Sequence, residues 1–227
     1  MAAPSPRAGS PLGTPSGTTD ATSFAITLPT HDVGDTFVAC ISSDSTPDLS
    51  CTGWTRVSVG NAAGSTSRGQ VFRRDTVAAT SSETNPTFIS TAAEQYAAFV
   101  YAIPGSALLN VEVSAPSSGA DAAANPPNNA PSAGTQDYLW ISYAALDGGA
   151  IGVGTGPSGY SGFAYTNNGS AQSCTAAVAH KTSTASSENP GTFTNTSEQW
   201  AGFTIAVYET PPAPPPSRGA TTMMMGV

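Results

Sequence analysis

The feature that most restricts this chain is that it resembles itself at a nearly fixed step. Ser81-Ser82-Glu83-Thr84-Asn85-Pro86-Thr87-Phe88 returns as Ser186-Ser187-Glu188-Asn189-Pro190-Gly191-Thr192-Phe193, and Glu94-Gln95-Tyr96-Ala97-Ala98-Phe99 returns as Glu198-Gln199-Trp200-Ala201-Gly202-Phe203. The step is 104 residues from Glu94 to Glu198 and again from Phe99 to Phe203. Gly34, Ile41 and Ser42 face Gly134, Ile141 and Ser142 at a step of 100. Chance supplies one such match but not an ordered series. The chain therefore reads as two copies of one unit, with the drift absorbed in loops.

The unit is made of strands. Apolar residues arrive in short runs of period two, separated by turn chemistry such as Asp147-Gly148-Gly149, Asn168-Gly169, Gly53 and Gly64. Strands are predicted over 23–28, 36–42, 55–59, 69–74, 86–90, 95–103, 109–113, 138–143, 162–166, 175–180, 191–195 and 199–208. No window carries a sustained 3.6-residue apolar stripe, so the expected fold is an all-β antiparallel sandwich, jelly-roll-like, built from two pseudo-repeated halves. Within the repeated strand, Phe99, Tyr101 and Ile103 correspond to Phe203, Ile205 and Val207. These larger residues should line the core, with the smaller alternating set outward or against a neighbouring sheet. Ile41 and Ile141 are expected to join that core.

Proline and glycine punctuate the ends. Residues 1–20 read as a flexible N-terminal arm, 21–209 as the sandwich with halves of about 21–113 and 114–209, and 210–227 as a Pro-rich C-terminal arm. On that last arm Pro214, Pro215 and Pro216 favour a polyproline spacer, and Met223, Met224 and Met225 form an adaptable apolar cluster, a candidate plug for a neighbouring subunit. A frayed tail is the competing reading. Residues 114–135, rich in proline, are expected as a long surface loop that has lost the strand found in the first copy; two beads on a linker is the alternative.

Composition narrows the function. Charged residues are 10% of the 227, the formal net charge is −8, and the cations are Lys181 and six arginines. Phosphate backbones select clustered basic stripes, and Arg68, Arg73 and Arg74 are too few to make one, so nucleic acid is not an expected partner. The N-terminus lacks the apolar core of a secretory signal, and no stretch is long enough for a membrane-spanning helix. Three cysteines cannot all pair within one chain; Cys40 and Cys51 form a disulfide across a loop only in an oxidising compartment, and three free thiols is the favoured reading.

Candidates for chemistry are weak. Glu94 and Glu198, at equivalent places, have the residue type of a glycosidase pair, but related copies carry the same residue at the start of the same strand for structural reasons. His31 and His180 lie in no nucleophile motif, and no Cys/His spacing fits zinc. Asp32, Asp35, Asp44 and Asp48 are the densest acidic group, without a calcium-loop pattern. Trp54, Tyr160, Tyr165 and Trp200 offer ring faces to a sugar, although packing is the simpler role for Trp54 and Trp200. No catalytic residue, metal or cofactor is expected.

The segments GDTFVACISSD, GWTRVSV, GQVFRRD, SSETNPTF and EQYAAFVYAIPG resemble small virion proteins and tail-fibre segments of tailed bacteriophages, over roughly residues 20–208. The second copy departs from that pattern by lacking a clear Gly-Trp-Thr turn. The resemblance implies a non-enzymatic virion protein, assembled in the host cytoplasm: a capsid decoration or accessory protein. Its implied partners are major capsid or tail subunits and further copies of itself. The alternative is a tail-fibre or receptor-binding module for host surface glycans.

Overall fold

The computed structural model describes residues 2–14, 19–75, 84–105, 109–148, 152–167, 169 and 173–209. The plug residues Pro214, Pro215, Pro216, Met223, Met224 and Met225 lie outside them. Along the first half run β1 (Leu12–Thr14), β2 (Ala21–Ala25), β3 (Thr36–Asp44), β4 (Leu49–Ser50), β5 (Thr55–Asn61), β6 (Ser67–Asp75), β7 (Thr87–Glu94) and β8 (Tyr96–Ile103). There follow β9 (Leu109–Val113), β10 (Ser117–Ala124), β11 (Gln136–Asp147), β12 (Val153–Thr155), β13 (Ser161–Thr166), β14 (Cys174–Ala185) and β15 (Phe193–Glu209). All the pairings are antiparallel, and among the described residues the only helical element is a 3-10 turn at Ala63–Ser65. The fold is an all-β sandwich. Each of the twelve predicted strands overlaps an observed one.

Three sheets stack. Sheet A has the order β1-β8-β3-β6-β5, sheet B the order β2-β7-β4, and sheet C the order β10-β15-β11-β14-β13, with β9 and β12 also paired to β15. The central core lies between A and C: Val38, Val71, Phe99, Tyr101 and Ile103 meet Ile141, Tyr143, Val178, Phe203 and Ile205. On the other face of A, Phe37, Ile41, Trp54, Phe72, Ala98 and Val100 pack under sheet B with Ile26 and Phe88. Beyond C, Leu146, Val153, Phe193 and Trp200 make an outer layer, continued by Tyr138, Trp140 and Tyr208. Both faces of β3, β8 and most of β11 are thus buried, which is why small residues alternate there with large ones instead of with charges. As expected, the larger set of β8 and β15 lines the central core, while Ala98, Val100 and Ala102 face the neighbouring sheet B.

The strands that carry the echoed motifs hold the same rank in sheets A and C: β8 with β15, β3 with β11, β6 with β14, β5 with β13. The sheets are stacked with these orders reversed, so β1 lies against β13 and β5 against β9 and β10. Pairing corrects the register read from sequence. Phe99 sits opposite Cys40 and Phe203 opposite Tyr143, so β3 and β11 match at a step of 103, not 100. An odd difference turns a side chain to the other face. Ile41 consequently packs between A and B, whereas Ile141 joins the central core.

Two expectations of absence are also corrected. The second copy does have its turn: Trp54 N–H donates to Cys51 O at 3.1 Å, and Tyr160 N–H donates to Pro157 O at 3.2 Å. Gly53 and Gly159 precede these aromatics at φ 80° and 78°, the left-handed region that disfavours a Cβ. Tyrosine replaces tryptophan, which hides the match. The 114–135 stretch is likewise not a bare loop. Within it β10 pairs with β15 from Ser117 opposite Gly202 to Ala124 opposite Phe193. Its ladder needs only backbone groups; Pro116 and Pro126 flank the strand, where no amide is required.

Residues 2–14, expected as part of a flexible arm, lie along the edge of β8. Arg7 N–H donates to Ala102 O at 2.9 Å, and Leu12, Gly13 and Thr14 sit opposite Val100, Phe99 and Ala98. The Arg7 guanidinium grips Asp35, with one contact at 2.7 Å, and reaches Asp32 at 2.9 Å. Asp35 is buried, so this pair fixes the segment's position on the sheet.

Candidate functional site

Sheets A and C differ at the edge beside the Glu-Gln-aromatic motif. In sheet C the single strand β10 follows β15 with a bulge between Asp121 and Ala123, and Gly119 presses on the indole of Trp200: a Cβ there would fall 2.4 Å from Cζ2. Trp200 Nε1–H donates to Asp121 at 3.1 Å, closing the surface. In the first copy the same edge is divided between β1 and β2. The division leaves a cavity of about 190 Å³ lined by Thr14, Phe24, Ile26, Glu94, Gln95 and Tyr96, among others.

Its lining sets two aromatic rings and alkyl groups beside one carboxyl, one amide and threonine hydroxyls. The rings of Phe24 and Tyr96 stack with centroids 4.0 Å apart and planes 7° from parallel. Tyr96 O–H donates to Ala92 O at 3.1 Å, and Gln95 Nε2–H donates to Asp20 at 3.2 Å. Partial burial raises the Glu94 carboxyl above its ordinary range, reinforced by the nearby charges of Asp44 and Asp20. Asp44 is raised in the same way, by burial and then by Asp147 and Asp20. Such a site offers an apolar ring, an amide and a partly buried carboxyl, a set suited to an uncharged polyhydroxylated ring.

The structure does not bring Glu94 and Glu198 together as a catalytic pair. Tyr96, beside Glu94, packs between sheets A and B, whereas Trp200, beside Glu198, packs in the outer layer of C. The four aspartates are also separated. Asp32 and Asp35 hold Arg7, Asp48 holds Arg56 at 2.6 Å and Arg68 at 3.0 Å, and Asp44 stands near Asp147. Among the described residues no group of three or more His, Cys, Asp or Glu is placed to hold a metal ion. Among the same residues no helix is long and apolar enough to cross a membrane.

The remaining candidates are used in packing. His31 Nδ1 lies 2.8 Å from Pro29 O and its ring meets the edge of Phe37. His180 stands beside Tyr101 at the rim of the central core, over Gly162, and burial lowers its pKa. Arg73 pairs with Asp75 at 2.7 Å, and Lys181 with Glu188 at 2.7 Å beneath the Tyr160 ring. Trp54 is buried in the core under sheet B, while Tyr165 is 45% exposed. The three thiols are free; Cys40 faces the central core and Cys51 the opposite side of sheet A, so the sheet itself lies between them.

A scan against protein-family models finds no match, and searches of curated proteins and of solved structures find none either.

Proposed function

We propose that this chain is a non-enzymatic structural protein of a virus particle, a decoration or accessory subunit that works in many copies. The observation that carries this reading is the burial of both faces of β3, β8 and most of β11, the strands at the heart of sheets A and C. Side chains that point inward there are committed to packing, so recognition is left to the edges, the outer faces and the terminal segments. Ion pairs support it in the same direction, since Arg7–Asp35, Arg56–Asp48 and Lys181–Glu188 tie segments of the fold to each other. Isolated apolar side chains on the surface, Ile89 at 52% and Val33 at 51% exposure, add contact points for neighbours. The phage-like segments in the sequence supply the setting. Quantitative mass spectrometry of purified particles tests the reading: the protein should be present at lattice stoichiometry, and particles without it should lose resistance to heat or chelation. Its absence from the particles would refute the proposal.

A second reading is favoured by the Phe24–Tyr96 cavity, which has the chemistry of a glycan subsite. A receptor-binding module predicts intact particles that no longer adsorb to cells when Tyr96 is replaced by alanine.

A further inference from the structure

We propose that the β8 edge of sheet A is an acceptor for the N-terminal segment of a second copy of this chain, so that residues 2–14 are exchanged between neighbours in an assembly. This rests on the multi-copy reading above. The two copies of the fold cover equivalent edges differently. The edge of β15 is covered by β9 and β10, which lie between β8 and β11 in the chain and are anchored at both ends. The edge of β8 is covered by residues 2–14, of which only the three-residue strand β1 joins the ladder.

Recognition along that edge is local and specific. Three residues pair, Leu12 opposite Val100, Gly13 opposite Phe99 and Thr14 opposite Ala98. Ala102 contributes both its groups: its carbonyl accepts from Arg7 N–H at 2.9 Å and its amide donates to Ser10 Oγ at 3.1 Å. Gly13 lies flat on Phe99, whose ring would be 2.9 Å from any Cβ there. The Arg7 clamp on Asp35 and Asp32 sets the register. The partners of the segment lie on the β8 edge and in the turn before β3, and each copy carries both sides of the interface. Exchange therefore replaces one set of contacts by the same set, at small net cost, and the local concentration of neighbours in an assembly drives it. The interface is also short enough to open, because a three-residue edge strand is held by few ladder bonds.

The test uses two full-length chains, both carrying Cys51→Ser, one with Leu12→Cys and the other with Val100→Cys. The two positions are directly opposite, so the double variant Leu12→Cys/Val100→Cys joins them within one chain. When the single variants are mixed, one isotopically labelled, mass spectrometry should find positions 12 and 100 linked between chains, with a yield that rises with concentration. Adding Arg7→Ala to the donor chain should lower that yield about tenfold. Linkage confined to the double variant, with none between mixed chains at any concentration, overturns the exchange. A double variant locked within its own chain that still enters particles also overturns it, while leaving the structural reading of the protein intact.

Discussion

Phe203 on β15 sends its ring into a notch on sheet A left by Gly69 on β6: a Cβ on Gly69 would stand 2.4 Å from the ring's Cε2. Gly60, directly opposite Gly69 on β5, widens the notch, and a Cβ there would meet Pro116 at 2.4 Å. This close approach joins the two sheets that carry the repeat. Gly69→Val is expected to destabilise the fold by about 1–3 kcal/mol through overpacking. Thermal melts should show the loss, and an unchanged midpoint would refute the notch.

Ser42 Oγ and Tyr143 Oη meet at 3.0 Å inside the central core, where few other polar atoms are available. Ser42→Ala leaves a buried phenol short of one partner and should cost about 1–3 kcal/mol. Adding Tyr143→Phe should cost less than the sum of the two single changes, which a double-mutant cycle by urea unfolding would measure.

Glu94 supplies a pH signature. Its pKa is raised in the fold by partial burial and by Asp44 and Asp20, so above the carboxylate range the folded state holds an unfavourable charge. In the window between the unfolded and the raised folded pKa the folded state binds more protons, and stability falls as pH rises through it. Glu94→Gln should therefore stabilise the protein at pH 7 and lose that advantage on acidification. Denaturant midpoints that are lower for the variant at pH 7 would count against this.

His180 acts in the opposite sense. Burial lowers its pKa below that of the unfolded chain, so the unfolded state takes the proton first as pH drops, and stability falls below about pH 6.5. His180→Gln should remove that part of the pH dependence. Its persistence, unchanged, in the variant would assign it elsewhere.

Thiol reactivity separates the three cysteines. Burial pushes the Cys40 and Cys174 thiols well above their ordinary value, whereas Cys51 is only partly buried and its smaller rise is opposed by the charge of Arg74. A thiol reagent should modify one group per native chain and three after denaturation, and Cys51→Ser should abolish the native reaction.

How much of this was legible from sequence depends on what signal each element carries. Strands such as β3, β8 and β15 announce themselves because their apolar residues alternate in size and their motifs recur. β10 has no apolar side chain larger than alanine, since it lies on Trp200 with its other face in solvent, so only its backbone pairing reveals it. The turn at Tyr160 is hidden because one aromatic replaced another. The face of Ile41 does not follow that of Ile141 because a three-residue drift within the repeat changes parity, which pattern matching does not see. The cavity beside Tyr96 follows from a break between β1 and β2, a fact of sheet geometry with no residue signature. The Arg7–Asp35 clamp joins residues 28 apart in a region of unremarkable composition.

β15 has one more consequence. It is paired with β9, β10, β11 and β12, all of which precede it in the chain, so sheet C has no centre until residue 209 has been made. Sheet A, by contrast, has its strands in hand at residue 103, with Phe99 and Tyr101 on the face that sheet C will cover. At ribosomal speed that oily face waits roughly 5–20 s for its lid. Its yield in a cell should therefore depend on chaperones more than its finished stability would imply.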